Sequence, residues 1–209
     1  MILTSEGAAR DYCAGLTDSA GLARLDRLAE LLRAENREQN LVAKASEEIL
    51  WLRHFGDSAQ LLTYVPRETG PWVDLGTGAG FPGLVIAALR PEMSCILVES
   101  RRRRAEWLAQ ATTALELGNC RVEAQRLETV ETFPAAVISA RAFAPLPKLL
   151  RSSVRFSTRD TVWLLPKGQS ARQEIADLPQ STARMFHVDH SVTGPDAGII
   201  VGKGRPEIA

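Results

Sequence analysis

The chain has 209 residues, 45% of them hydrophobic, with 25 basic side chains balanced by 25 acidic ones for a formal net charge of zero. That length allows one self-sufficient core with room for a small added element, while the neutral balance argues against a uniformly cationic protein. Three widely spaced cysteines (Cys13, Cys95, Cys120) without a CxxC pair speak against a disulfide framework or a metal site, and no apolar run reaches the ~20 residues a bilayer requires.

With no basic-then-apolar leader at the N-terminus, a soluble cytoplasmic protein is expected. Leucines at 22, 25, 28 and 32, with Arg and Glu between them, predict an amphipathic helix over residues 20–36. Ser46 ahead of Glu47 and Glu48 reads as the N-cap of a helix running to about Phe55. Asp57 with Gln60 three residues on resembles a capping box for a third helix, and Pro66, Gly70 and Pro71 then break the pattern. Residues 1–70 are therefore expected to form a helical N-terminal extension and residues 71–209 one compact ligand-binding unit.

From residue 72 the pattern changes. Strands are predicted at 72–75, 95–99, 120–124, 135–140, 161–165, 184–189 and 198–203, with helices near 82–89, 102–117, 145–154 and 169–177. Such alternation implies an α/β fold, a mostly parallel sheet with helices on both faces. The last two strands are joined by the turn-rich Gly194-Pro195-Asp196-Ala197-Gly198, so the final strand should run antiparallel.

The most informative segment is Trp72-Val-Asp74-Leu-Gly76-Thr-Gly78-Ala-Gly80-Phe81-Pro-Gly83. A strand, a glycine loop and a helix in that order let backbone approach a ligand at a helix N-terminus. Gly78 to Gly83 also fits the dinucleotide fingerprint literally. Asp74, however, stands where an anion would repel a pyrophosphate and would suit the ammonium and sulfonium of S-adenosylmethionine. Glu99, at the tip of the next apolar run, is placed to accept both hydroxyls of a ribose, which either ligand carries.

Charge is segregated along the chain. Residues 1–70 carry eight basic against eleven acidic side chains, whereas residues 141–172 carry seven basic ones against Asp160 alone. Such a basic stretch is the footprint expected where a polyanion docks. Within it, Lys148, Arg151, Arg155 and Lys167 are candidate phosphate contacts, and Phe143 could either stack on an extruded base or belong to the core. Arg103 and Arg104 lie in a run of four cations opening a helix, an arrangement the helix dipole opposes, which suggests a role in binding RNA or covering the adenine. Arg141 follows the fourth strand, where it could bind a phosphate, an oxygen of the target, a cofactor carboxylate or a structural carboxylate. His54, His187 and His190 show no metal-ligand spacing, so they read as ordinary histidines and no metal is expected.

With these residues in view, the chain resembles the bacterial 16S rRNA guanine-N7 methyltransferase family, also called glucose-inhibited division protein B. The resemblance rests on Asn36-x-x-x-Asn40-Leu-Val, Asp57-Ser58, the Asp74 to Gly83 loop, and Glu99-Ser100 with Arg103-Arg104. Ile138-Ser-Ala-Arg141-Ala-Phe-Ala-Pro145-Leu and Pro166-Lys167-Gly168 complete it. It implies a class I, Rossmann-like S-adenosylmethionine-dependent methyltransferase domain, with Gly76, Phe81, Leu127, Glu128 and Arg141 among the cofactor contacts. Glu99 stands where the family usually has Asp, and the added methylene keeps the carboxylate.

The expected partner is 16S rRNA in the small ribosomal subunit, bound by a monomer. Guanine N7 already exposes a lone pair, so the reaction asks for positioning and exclusion of water rather than a nucleophile or base. Arg141 is the candidate positioning residue. The alternatives are a small-molecule methyltransferase, which needs no basic face, and an NAD-dependent oxidoreductase.

Overall fold

After residue 71, each apolar run short enough to be a strand becomes one. The computed structural model describes residues 2–67 and 69–207. The strands are β1 (Trp72–Leu75), β2 (Cys95–Val98), β3 (Cys120–Glu123), β4 (Val137–Ser139), β5 (Val162–Lys167), β6 (Phe186–His190) and β7 (Gly198–Lys203). They form one sheet in the order β3-β2-β1-β4-β5-β7-β6. The first five are parallel, and β7 runs antiparallel between β5 and β6, as the turn chemistry predicts. Strand order reverses between β1 and β4, the switch point beyond whose strand tips open α/β sheets bind ligands.

Side chains alternate across a strand with period two, and the core divides accordingly. Trp72, Leu97, Val137, Leu164 and Ile199 enter one buried cluster, while Val73, Leu75, Ile138, Trp163 and Ile200 enter the other. The first face is covered by α1 (Glu6–Ala14), α2 (Ser19–Gln39), α5 (Gly83–Leu89) and α6 (Arg102–Ala114). The second is covered by α7 (Leu146–Ser153) and α8 (Ala171–Ala176), with the short α9 (Gln180–Ala183) beside it. All seven residues of α5 are buried, which accounts for its unbroken apolar sequence. The architecture is the Rossmann-like α/β fold, and among the described residues no helix is long and apolar enough to cross a membrane.

The N-terminal extension departs from expectation in its details. Helix α1 was not predicted, and α2 exceeds residues 20–36 at both ends: Asp18 caps its start through Gly21 N at 2.8 Å, and it runs on to Gln39 before Asn40 turns left-handed. Ser46 lies inside α3 (Lys44–Glu47) rather than at its cap, and its hydroxyl donates to Ala43 O. The chain next winds through a π-helical turn, Trp51–Gly56, then α4 (Asp57–Ala59), then a 3₁₀ turn, Gln60–Tyr64. Asp57 therefore caps nothing: its backbone is helical (φ −62°, ψ −32°), whereas an N-cap requires extended geometry. The π-helical turn is instead capped from another helix, since the Glu6 carboxylate accepts from Trp51 N at 3.0 Å and Leu52 N at 2.7 Å.

Elsewhere the differences are at boundaries. The predicted strand 135–140 shortens to Val137–Ser139, and the helix predicted over 102–117 stops at Ala114, just before Glu116 with φ 54°.

Two charge-assisted bonds at Glu6 hold α1 against the π-helical turn. Glu6→Ala is expected to lower stability by about 1–3 kcal/mol, as bonds to a charged acceptor do. Urea unfolding followed by tryptophan fluorescence would measure it.

Candidate functional site

The glycine loop is organised by one buried carboxylate. Asp74, in β1, is fully buried, and its Oδ2 accepts from Thr77 Oγ1 and from Gly83 N at 2.9 Å. Its Oδ1 accepts from Ser139 Oγ in β4 at 2.8 Å, and the same hydroxyl oxygen takes the Trp72 indole N–H at 2.8 Å. This corrects the sequence expectation for Asp74. Its oxygens are consumed by loop, helix and neighbouring strand, so it shapes the loop from beneath and has no surface with which to touch a ligand. Burial pushes its carboxyl up to about 6, and the three hydrogen bonds pull the other way.

Gly83 must be glycine because a Cβ there would lie 2.9 Å from Asp74 Oδ2 and 2.2 Å from Leu97. Gly76 has φ +61° and a Cβ on it would fall 2.3 Å from the Phe143 ring, so that ring rests directly on the loop backbone. Gly78 and Gly80 also have positive φ; Gly80 is packed under Leu84, whereas at Gly78 a Cβ would meet nothing nearer than Arg104 at 3.6 Å. The far side of the loop is fixed by Trp107 Nε1, which donates to Ala79 O at 3.0 Å.

Glu99 sits just beyond β2, as predicted, and is almost wholly buried. Its Oε2 accepts from Gly78 N at 3.1 Å and its Oε1 from Arg101 N at 2.7 Å, which leaves further lone pairs on both oxygens. Leu127 is buried and Glu128 exposed in a single 3₁₀ turn after β3, the strand neighbouring β2.

Arg141 is the second centre of organisation. Its Nη1 donates to Asp57 Oδ2 at 3.2 Å and to Arg53 O at 3.3 Å, and its Nη2 meets His54 Nδ1 at 2.8 Å. The guanidinium also lies over the Phe81 ring at 5.1 Å, and His54 stacks on that ring at 4.8 Å. An arginine can only donate, so His54 Nδ1 accepts and the imidazole proton is assigned to Nε2, which is buried without a partner among the described residues. Burial and the Arg141 and Arg53 charges push the imidazole down to about 3, so it is neutral at any physiological pH. Sequence reasoning took His54 for an ordinary histidine and Asp57 for a cap. The missed signal is the spacing of Arg53, His54 and Asp57, which a helical turn brings together.

Ala142, with φ 54°, makes the reversal that turns Arg141 inward and Phe143 outward. Phe143 and Arg141 line a cavity of about 930 Å³ that continues past Lys167 in β5 to the Gly194–Ala197 turn. Phe143 is thus shared: it lies on Gly76 on one side and forms cavity wall on the other.

Two of the expected phosphate contacts are committed inside the protein. Lys167 Nζ is held by Glu174 at 2.8 Å and by Ala144 O at 3.0 Å. Arg155 donates to Leu127 O and to Thr132 Oγ1, and lies 4.3 Å over Phe156. Lys148 and Arg151 on α7 are exposed. Arg103 is exposed with one bond to Glu38 O at 3.3 Å, and Arg104 reaches back to the loop, 3.6 Å from where a Cβ on Gly78 would be.

Comparison with known proteins bears on what this arrangement serves. A family model described as rRNA small subunit methyltransferase G (GidB) matches residues 22–197. Ribosomal RNA small subunit methyltransferase G of Erythrobacter litoralis is 56% identical over 205 residues, covering 98% of this chain and 99% of that protein. Its counterpart in Novosphingobium aromaticivorans is 58% identical over 189 residues, covering 89% and 82%. Among solved structures, the putative methyltransferase yhhF from Escherichia coli aligns with a TM-score of 0.54 at 16% identity, covering 70% of this chain and 85% of that one. A mutant of MtNAS in complex with S-adenosylmethionine aligns at 0.53 and 15% identity, covering 95% and 77%. Both of these are likenesses of fold.

The raised Asp74 carboxyl has a signed consequence for stability. An unfolded chain ionises this group near pH 3.8, the folded one only near 6. Stability associated with the protonated form is therefore complete below pH 3.8 and is lost as pH rises to about 6. Asp74→Asn, which removes the charge at nearly the same volume, is expected to gain on the wild type by ~2 kcal/mol between pH 4 and pH 6.5. Paired urea titrations across that range would check it.

Proposed function

The chain belongs to the rRNA small subunit methyltransferase G family, and on that premise we propose that its site methylates N7 of an extruded guanine of 16S rRNA in the small ribosomal subunit. The enzyme is dependent on S-adenosylmethionine, and membership sets aside both the oxidoreductase and the small-molecule readings. The reading adds that one copy acts alone, in the cytoplasm. A single observation carries the assignment of the pocket: Phe143 joins the glycine loop to the 930 Å³ cavity, so cofactor and base meet across one aromatic ring.

The residues fit such a cofactor. Gly78, where a Cβ would meet nothing nearer than Arg104 at 3.6 Å, offers backbone for close approach, with Asp74 acting through the loop's shape and Phe81 backing it. Glu99 keeps lone pairs for two ribose hydroxyls, and Leu127 with Glu128 edges the adenine side. When bound, S-adenosylmethionine supplies a methyl group made electrophilic by its sulfonium.

The chain's own work is positioning. Neutral His54, Asp57 and the Arg53 carbonyl hold the Arg141 guanidinium by three contacts, leaving its other N–H groups free toward the cavity. Those remaining donors can meet the acceptors of a nucleotide or the cofactor carboxylate. Phe143 stacks on the base and excludes water. Lys148 and Arg151, exposed on α7, serve as phosphate contacts together with Arg103 and Arg104 on α6, while Lys167 braces the cavity wall and Arg155 ties the Leu127 turn to Phe156.

Incubating small subunits from a strain lacking the enzyme with labelled methyl donor, and mapping the modified base, tests the whole reading; label outside guanine N7 would defeat it. Glu99→Gln is expected to weaken S-adenosylhomocysteine binding about ten- to a hundredfold, from the ~1.5–3 kcal/mol of a bond to a charged group, as read by calorimetry. Reversing Lys148 and Arg151 together to Glu should abolish rRNA methylation and leave that affinity within twofold of wild type.

A further inference from the structure

Strand order arranges the site laterally. The glycine loop follows β1, Arg141 and Phe143 follow β4, Lys167 ends β5, and the Gly194–Ala197 turn leads into β7. From β4 to β7 is two strand spacings, about 10 Å, comparable to a purine plus one hydrogen bond. A guanine whose N7 faces the loop therefore presents its opposite edge, N1–H and the N2 amine, to the wall made by that turn.

Three carboxylates line this cavity: Asp57, Glu174 and Asp196. Asp57 is occupied by Arg141, Gln60 and Thr193. Glu174 is occupied by Lys167, Ser170 and Leu146 N. Asp196 is exposed and has no hydrogen-bond or ion-pair partner among the described residues.

The turn that carries Asp196 is held in place from the same side as the arginine. Thr193 Oγ1 donates to Asp57 Oδ1 at 3.1 Å, Val192 N donates to Gln60 Oε1 at 2.8 Å, and Ala197 N closes on Gly194 O at 3.2 Å. Asp57 thus anchors both the turn and Arg141, which sets the two walls of the cavity relative to each other.

We propose that Asp196 is the guanine-specificity residue, its two carboxylate oxygens accepting N1–H and N2–H of the target base. A carboxylate has acceptors only, which matches two adjacent donors on guanine and meets the bare N1 acceptor of adenine with repulsion. Selectivity follows once the bound base shields Asp196 from water, since a wrong base then leaves its charge unpaired. The inference rests on the cavity being the base site, as argued above.

The test uses reconstituted small subunits whose mapped target is either guanosine or inosine, which lacks the N2 amine, with wild type, Asp196→Ala and Asp196→Asn. Wild type should lose about tenfold in kcat/KM on inosine, and Asp196→Ala about tenfold or more on guanosine. For Asp196→Ala the two substrates should then agree within twofold. S-adenosylhomocysteine affinity should stay at the wild-type value in both variants. An unchanged guanosine-to-inosine ratio in Asp196→Ala would overturn the assignment, as would loss of cofactor affinity in step with activity. If wild type labels no guanine of 16S rRNA, the underlying reading fails and the proposal with it, an outcome distinct from a preserved ratio.

Discussion

The rest of the site depends on a buried anion. Asp74 draws Thr77 of the loop, Gly83 of α5 and Ser139 of β4 onto one carboxylate, so a strand, a turn, a helix and the neighbouring strand share a single hydrogen-bonding centre. A buried carboxylate without partners would be costly; with three donors the cost is offset, and the donors are fixed in return. This sets the direction of the loop backbone at Gly76, on which Phe143 rests. Placing the anion under the loop also explains why it acts on the ligand's seat rather than on the ligand.

A second constraint ties the N-terminal extension to the sheet. In a regular α-helix every interior carbonyl is taken by an N–H four residues on; a π turn disturbs that register. Here the π-helical turn and the start of α4 after it direct Arg53 O, His54 Nδ1 and Asp57 Oδ2 at the Arg141 guanidinium. The histidine accepts as a neutral imidazole, a state that burial and the Arg141 and Arg53 charges enforce. Through Thr193 the same Asp57 holds the turn before β7, so an element that the chain makes first positions one made nearly last. The extension is part of the site's scaffold, sharing its core with α5 and α6.

Charge along the chain proved a poor guide to charge on the surface. The stretch 141–172 is strongly basic in sequence, but Lys167 is neutralised by Glu174 and Arg155 is spent on backbone and an aromatic face. What remains exposed is Lys148 and Arg151 on α7, Arg172 on α8, and Arg159, which pairs with the adjacent Asp160.

Local patterns were enough for the sheet, the antiparallel last strand, the glycine loop and the place of Glu99. Each of these follows from short-range rules: apolar runs, turn residues, and glycines where the backbone turns sharply. The partners of Asp74, Arg141 and Lys167 were not legible, because they come from residues 65, 84 and 7 positions away and no periodicity links them. Nor was the π-helical turn, since Asp57 and Gln60 look like a capping box until Glu6 is found capping the turn from another helix. The amino-acid sequence by itself determined the strands, the main helices between them and the family they serve. Only the tertiary structure decided which charged groups face the ligand and which are consumed within, because pairing between distant side chains is settled by packing, not by local preference.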